Sequence, residues 1–180
     1  DRRQRQMCIR DRVLSGERGE ESAARAKYNI FEPDRADLRN GRQFTRHVDR
    51  FRPIRDWKEQ QVWDIIKRYR IRVHPCYYMG WGRCSCKFCI FGNKNQFASA
   101  ASVSPEQIGR IIKLERDFGY TLKRNLSLPE LIAMGCVYKN ITPELQCLAT
   151  SYNYEQAIIL PVAEEWTLPA GAFGENCGAI

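Results

Sequence analysis

Apolar residues recur at helical spacing in several stretches of this chain. Val62, Ile65, Ile66 and Tyr69 fall at i, i+3, i+4 and i+7, an apolar face flanked by Trp57 and Trp63. Asp56 with Glu59 three residues on has the spacing of a capping box at its start. Ser104-Pro105-Glu106-Gln107 is a second box, with proline at the first helical position, followed by Ile108, Ile111, Ile112 and Phe118 and a stop at Gly119. Ser127 and Glu130 form a third box, with Gly135 placed where a helix end takes a left-handed residue. A weaker helix is predicted over residues 143–150. Residues 13–16, VLSG, read as the end of a strand whose loop enters a helix near residues 20–28, with Ser22 near its start. Val48 to Ile54 alternates apolar and basic residues and predicts a short extended segment ending near Pro53. Residues 29–43 read as a loop, and the tail from Ala157 as extended.

These elements are mainly helical with few strands, too few for a free-standing doubly wound sheet. The expected class is α/β, with the chain forming the mainly helical part of a larger α/β domain. A hydrophobic content of 43% across 180 residues argues against disorder. No apolar run reaches membrane-spanning length and no secretory h-region is visible, so the expected location is cytoplasmic with no membrane partner.

The formal charge of +8 is uneven. Residues 1–12, DRRQRQMCIRDR, carry five arginines against two aspartates and have neither helical nor strand period. They are read as a non-native segment or a solvated basic arm and set aside from fold reasoning. The remaining excess of base suits an anionic ligand, or a merely basic solvated face.

Four of the eight cysteines, Cys76, Cys84, Cys86 and Cys89, lie within the segment HPCYYMGWGRCSCKFCIFGN. In a reducing compartment such clustering points to metal binding or redox chemistry. Cys86 and Cys89 form a C-x2-C pair, a spacing that turns two thiolates toward one ion, and four thiolates suit tetrahedral zinc or a [4Fe–4S] cluster. Inert buried cysteines are the plain alternative. Cys177 is a candidate distant ligand, while Cys136 and Cys147 are expected to pack.

RPIRDWKEQQVWDII followed by HPCYYMGWGRCSCKFCIFGN resembles the C-terminal half of phosphoadenylylsulfate (PAPS) reductase-like proteins, which carry R-P-[IL]-x-D-W-[ST]-E-x-x-V-W, then H-P-x-Y and a cysteine turn. Upstream, SGERGEESAARAK is similar to the family element G-x-R-x-x-E-S-x-x-R. The resemblance implies an adenine nucleotide α-hydrolase-like (PP-loop) fold, of which residues 13–180 would be the C-terminal part. It implies ATP or an adenylated sulfate as substrate, used in reduction or sulfur transfer. The wording of the cysteine segment is similar to the phage and DndC-like branch, which implies an iron–sulfur cluster and partners in DNA modification. By position, Arg18, Glu21, Ser22 and Arg25 would lie at the substrate anion, where arginines grip sulfate or phosphate through paired bonds. His74 and Arg83 are further substrate- or nucleotide-binding candidates, on the cysteine side.

Departures limit the analogy. The family's S-G-G-K-D-S phosphate loop and its E-C-G-L-H-type tail are not found, so the chain alone is expected to handle ATP poorly and reads as truncated. Lys58 stands where the family has Ser or Thr. A second reading, from a different class, is a zinc-stabilised nucleic-acid-binding module whose contact surface draws on Phe51, Arg52, Arg55, Trp57, Tyr77, Tyr78, Trp81 and Arg83.

Overall fold

The computed structural model describes residues 10–41 and 46–174. The chain divides into two compact parts, Asp1–Val62 and Trp63–Ile180. The architecture is mixed α/β.

The first part holds a three-stranded sheet of β1 (Arg10–Leu14), β2 (Phe31–Pro33) and β3 (His47–Phe51), in the order β1-β3-β2. β1 runs parallel to β3, with Leu14 opposite Phe51, and β2 runs antiparallel to it. The strand therefore begins at Arg10, ahead of the VLSG stretch expected to end it. Within the strands only Val48 is buried, because the central strand reads HVDRF and spends its inward positions on charge. Arg50 donates to Asp34 at 2.7 Å, and Arg39 bridges Asp37 and Asp49 at 2.7 and 2.5 Å. Asp37 also accepts the Val48 amide at 2.7 Å, tying the loop after β2 to the middle strand. The helix expected near residues 20–28 is instead two 3-10 turns, Gly19–Glu21 and Arg25–Lys27, with Ser22 extended between them.

Helix α1 (Glu59–Arg68) starts as its apolar period predicts, but not with the expected cap. Asp56 is engaged by Arg55, while the Lys58 amide is held by Gln61 and the Glu59 amide by Glu20, at 2.8 and 2.9 Å.

The second part is helical: α2 (Pro75–Met79), α3 (Lys94–Val103), α4 (Pro105–Phe118), α5 (Leu128–Ala133) and α6 (Pro143–Thr150). α3 is its centre, burying Phe97, Ala98, Ser99, Ala100 and Val103, and it is closed at the start by an Asn93/Gln96 capping box. Phe97 packs with Ile108, Leu128 and Leu131, where α3, α4 and α5 meet. A second cluster of Trp63, Leu160 and Trp166 draws in the tail. There the Trp166 indole donates to the Ile71 carbonyl at 3.0 Å, and an isolated bridge joins Ile71 to Ile159.

Two local expectations need correction. Ser104 and Gln107 do not close a box on α4; both accept from Lys87 Nζ, at 2.6 and 3.1 Å. Gly135 does not adopt positive φ, unlike Gly119 at +68°. Its requirement is space: a Cβ there would lie 2.2 Å from the Lys94 carbonyl oxygen and 2.9 Å from Ala98 Cβ. The Ser127/Glu130 box does form, with Glu130 accepting the Ser127 amide at 3.0 Å.

Gly135→Ala is therefore expected to destabilise the helical part by about 2 kcal/mol or more, because backbone atoms and a buried alanine must move. A urea midpoint equal to that of the parent would contradict this. Acid is expected to weaken the sheet-bearing part. Bonds from the Arg39 side chain and the Val48 amide hold Asp37 down to about 2. A depressed carboxylate contributes stability above its unfolded value of about 4 and loses it as pH falls through the folded one. Asp37→Asn should flatten the thermal midpoint's dependence on pH across that window, measured by a signal from the first part.

Candidate functional site

In the first part, the charged residues of the element from Gly16 to Arg25 lie together. Arg18 pairs with Glu20 at 3.2 Å and Glu21 at 3.4 Å, and Arg25 pairs with Glu21. Ser22 Oγ accepts the Arg25 amide at 3.2 Å. Arg18, Glu21, Ser22 and Arg25 thus form one charged turn in which both guanidiniums share Glu21.

The turn is anchored by two arginines from the RPIRDW stretch. Arg52 is buried at 4% exposure, reaching Glu17 at 2.6 Å, Glu32 at 2.7 Å and the Asn29 carbonyl at 2.9 Å. Its guanidinium also sits 4.5 Å over the Tyr28 ring. Hydrogen bonding from Arg52 holds the Glu17 and Glu32 carboxyls below their ordinary value. Arg55 donates to the carbonyls of Tyr28, at 3.0 Å, and Ala26, and its own carbonyl accepts the Gly19 amide at 2.8 Å. Arg52 is consumed inside the fold, which removes it from the contact surface of the nucleic-acid reading, while Arg55 stays partly exposed.

His74 and Arg83 belong to the second part, with the cysteine segment. His74 caps α2: its Nδ1 accepts the Cys76 amide at 3.1 Å, and Pro75 takes the first helical position. The helix ends after one turn at Gly80, whose φ of +117° no other residue adopts cheaply. The chain then doubles back, and the Tyr77 hydroxyl accepts the Cys84 amide at 3.1 Å. Tyr77 is itself fixed edge-on to Trp63, with ring centroids 5.6 Å apart.

The result is a cluster: ligand atoms of His74, Cys76 and Cys84 all lie within 4.8 Å of one another. They line a cavity of ≈ 230 Å³ with Arg83, Cys86 and Lys87. Burial, and then the neighbouring Cys84, push the Cys76 thiol up. Cys89 lies apart from this trio. Its Sγ is 3.9 Å from Arg83 Nη2. Burial works to raise that thiol, but the Phe91 backbone and the Arg83 guanidinium outweigh it and leave it lowered. Arg83 Nε is buried without a hydrogen-bond partner among the described residues.

Of the four cysteines expected at a metal, the structure gathers Cys76 and Cys84, sets Cys86 on the same cavity and turns Cys89 to Arg83. His74, a substrate-binding candidate on the cysteine side, stands beside Cys76 and Cys84. Its signal was a histidine two residues before a cysteine. Cys136 and Cys147 are exposed rather than packed. Cys177 lies outside the described residues.

The chain thus carries a charged turn built from arginine and glutamate and a thiol-rich loop closed on a helix cap. The family model for the phosphoadenosine phosphosulfate reductase domain matches residues 4–136, and the chain belongs to that family. An uncharacterized 37.8 kDa protein in the gpa 5′ region of Escherichia phage 186 is 37% identical over 104 residues, covering 58% of this chain and 29% of that protein. Adenosine 5′-phosphosulfate reductases of Burkholderia cepacia and Allochromatium vinosum are 29% and 30% identical over 76 residues, 42% of this chain and 27% and 26% of theirs. The chain thus spans less than a third of the length of these curated relatives. No solved structure matches it. Among the described residues, no helix is long and apolar enough to cross a membrane.

Arg52→Met should remove the shared cation between Glu17 and Glu32. Breaking a buried pair costs several kcal/mol, and since both carboxylates keep some solvent the expected loss is about 2–3 kcal/mol. An unchanged urea transition for the first part would contradict this.

Proposed function

We propose that the chain is a sulfonucleotide-handling domain that takes ATP or an adenylated sulfur compound, such as adenosine 5′-phosphosulfate, for reduction or sulfur transfer. The observation that carries this reading is that two stretches resembling family motifs fold onto each other, Arg52 of RPIRDW binding Glu17 of SGER inside the protein. Arg18 and Arg25, with Glu21 and Ser22, supply the anion side; guanidiniums suit sulfate and phosphate because they donate two parallel bonds. His74 and Arg83 belong to the cysteine side.

The cysteine segment would hold zinc or an iron–sulfur cluster on thiols drawn from Cys76, Cys84, Cys86 and Cys89, and a thiolate or cluster-held sulfur would serve as nucleophile. In its favour are the two adenosine 5′-phosphosulfate reductases among the relatives and the convergence of two of these thiols. A cytoplasmic location and partners in DNA modification belong to the same reading.

The test is equilibrium binding of adenosine 5′-phosphosulfate, with ATP in parallel. Arg18→Ala and Arg25→Ala are each expected to weaken adenosine 5′-phosphosulfate binding about tenfold, the equivalent of about 1.4 kcal/mol. Absence of binding by the parent, or binding indifferent to both substitutions, would sink the proposal. Visible absorption that bleaches on reduction of anaerobically prepared protein identifies the cluster; colourless protein with bound zinc identifies the alternative.

A further inference from the structure

Cys76 and Cys84 lie at the two ends of a closed turn. One follows the start of α2, the other follows Gly80 and Gly82, and the Tyr77 hydroxyl holds the returning strand of the loop. His74 stands at the entry to the same turn. One nitrogen and two sulfurs therefore meet within 4.8 Å, while of the C-x2-C pair Cys86 lines the cavity and Cys89 meets Arg83.

We infer that His74, Cys76 and Cys84 form a mononuclear site for a zinc-type divalent ion that does not require the Cys86–Cys89 pair. The donor set is the borderline-soft nitrogen and sulfur combination that zinc favours. With Zn–S bonds of about 2.3 Å, tetrahedral ligand atoms sit roughly 3.8 Å apart, so the trio needs to close by about 1 Å at most. Exposed Cys84 moves by rotating its side chain. A fourth position faces the cavity. Arg83 and Lys87 line that cavity, yet a divalent ion carrying two thiolates adds no net charge beside them. A cubane cluster fits less well, because it needs four thiolates and the trio offers two.

The site also changes the helix beside it. A neutral imidazole has one nitrogen lone pair, and in this structure it accepts the Cys76 amide. Ligation through either nitrogen takes that lone pair, so His74 cannot cap α2 and bind the ion at once. Binding should release the Cys76 amide.

Cobalt(II), which occupies zinc sites and reports thiolates through a charge-transfer absorption, is the probe, with zinc competition giving the affinity. The Cys86→Ser/Cys89→Ser protein should keep one ion with its thiolate band. Cys76→Ser/Cys84→Ser should lose it. Loss of the ion in the first variant, or its retention in the second, overturns the assignment. If the second variant fails to fold by circular dichroism, His74→Asn decides. Asparagine caps helices well and binds zinc poorly, so α2 should survive while affinity falls at least tenfold; unchanged affinity overturns the site. Faster hydrogen exchange at the Cys76 amide on zinc addition is expected in the parent, and none in His74→Asn. These readouts use no nucleotide, so they stand or fall apart from sulfonucleotide binding.

Discussion

The first part of the chain depends on one buried cation. Arg52 sits at 4% exposure and binds Glu17 after β1, the Asn29 carbonyl ahead of β2 and Glu32 within β2. A three-stranded sheet with a single buried apolar strand residue cannot hold itself by burial alone. A guanidinium with five donors suits the task, because each donor left without its partner is costly. Such a pair contributes modest net stability, since desolvation offsets its attraction, but it penalises every other register severely. The turn from Gly16 to Arg25 is thereby located by Arg52 and Arg55 from outside itself.

The same economy changes the meaning of the basic composition. Arg39, Arg46, Arg50, Arg52 and Arg55 all face carboxylates, and Arg72 pairs with Glu164. The formal charge of +8 therefore comes from cations other than these. Cations left for an anion must be sought at particular atoms, of which the orphaned Nε of Arg83 is the clearest in the second part.

What the sequence disclosed follows the range of the forces concerned. The Ser127/Glu130 box, the stop at Gly119 and the helix at Pro143–Thr150 rest on neighbours three or four residues apart and were legible. Ser104 and Gln107 had the same local grammar, but Lys87, distant in sequence, took both oxygens. Helix α3 was missed because KNQFASAASV is buried on nearly all sides and has no polar face to set a period. Its Asn93/Gln96 box was the available signal. β2 was hidden in a charged loop whose apolar content is too low to mark a strand. In the cysteine segment the grouping was legible from spacing, whereas the arrangement of the residues around the turn was not. C-x2-C spacing favoured Cys86 with Cys89, whereas a left-handed Gly80 and the Tyr77 hydroxyl bring Cys84 back to Cys76 and His74.

That return of the chain sets up a competition within α2. The helix is one turn long, and the His74 cap at its start is worth about 1 kcal/mol in typical helices. A structural zinc ion is worth about 10–16 kcal/mol of apparent binding energy in small domains. On those magnitudes the ion wins the imidazole lone pair, and the lost cap is a minor cost. The ends of the turn would then be joined by metal rather than by a hydrogen bond. Tyr77, held against Trp63, and Trp81, edge-on to Tyr138 at 5.1 Å, keep the middle of the turn in place. Aromatic packing thus preorganises the three ligand atoms, so that little chain entropy needs to be lost when the ion arrives.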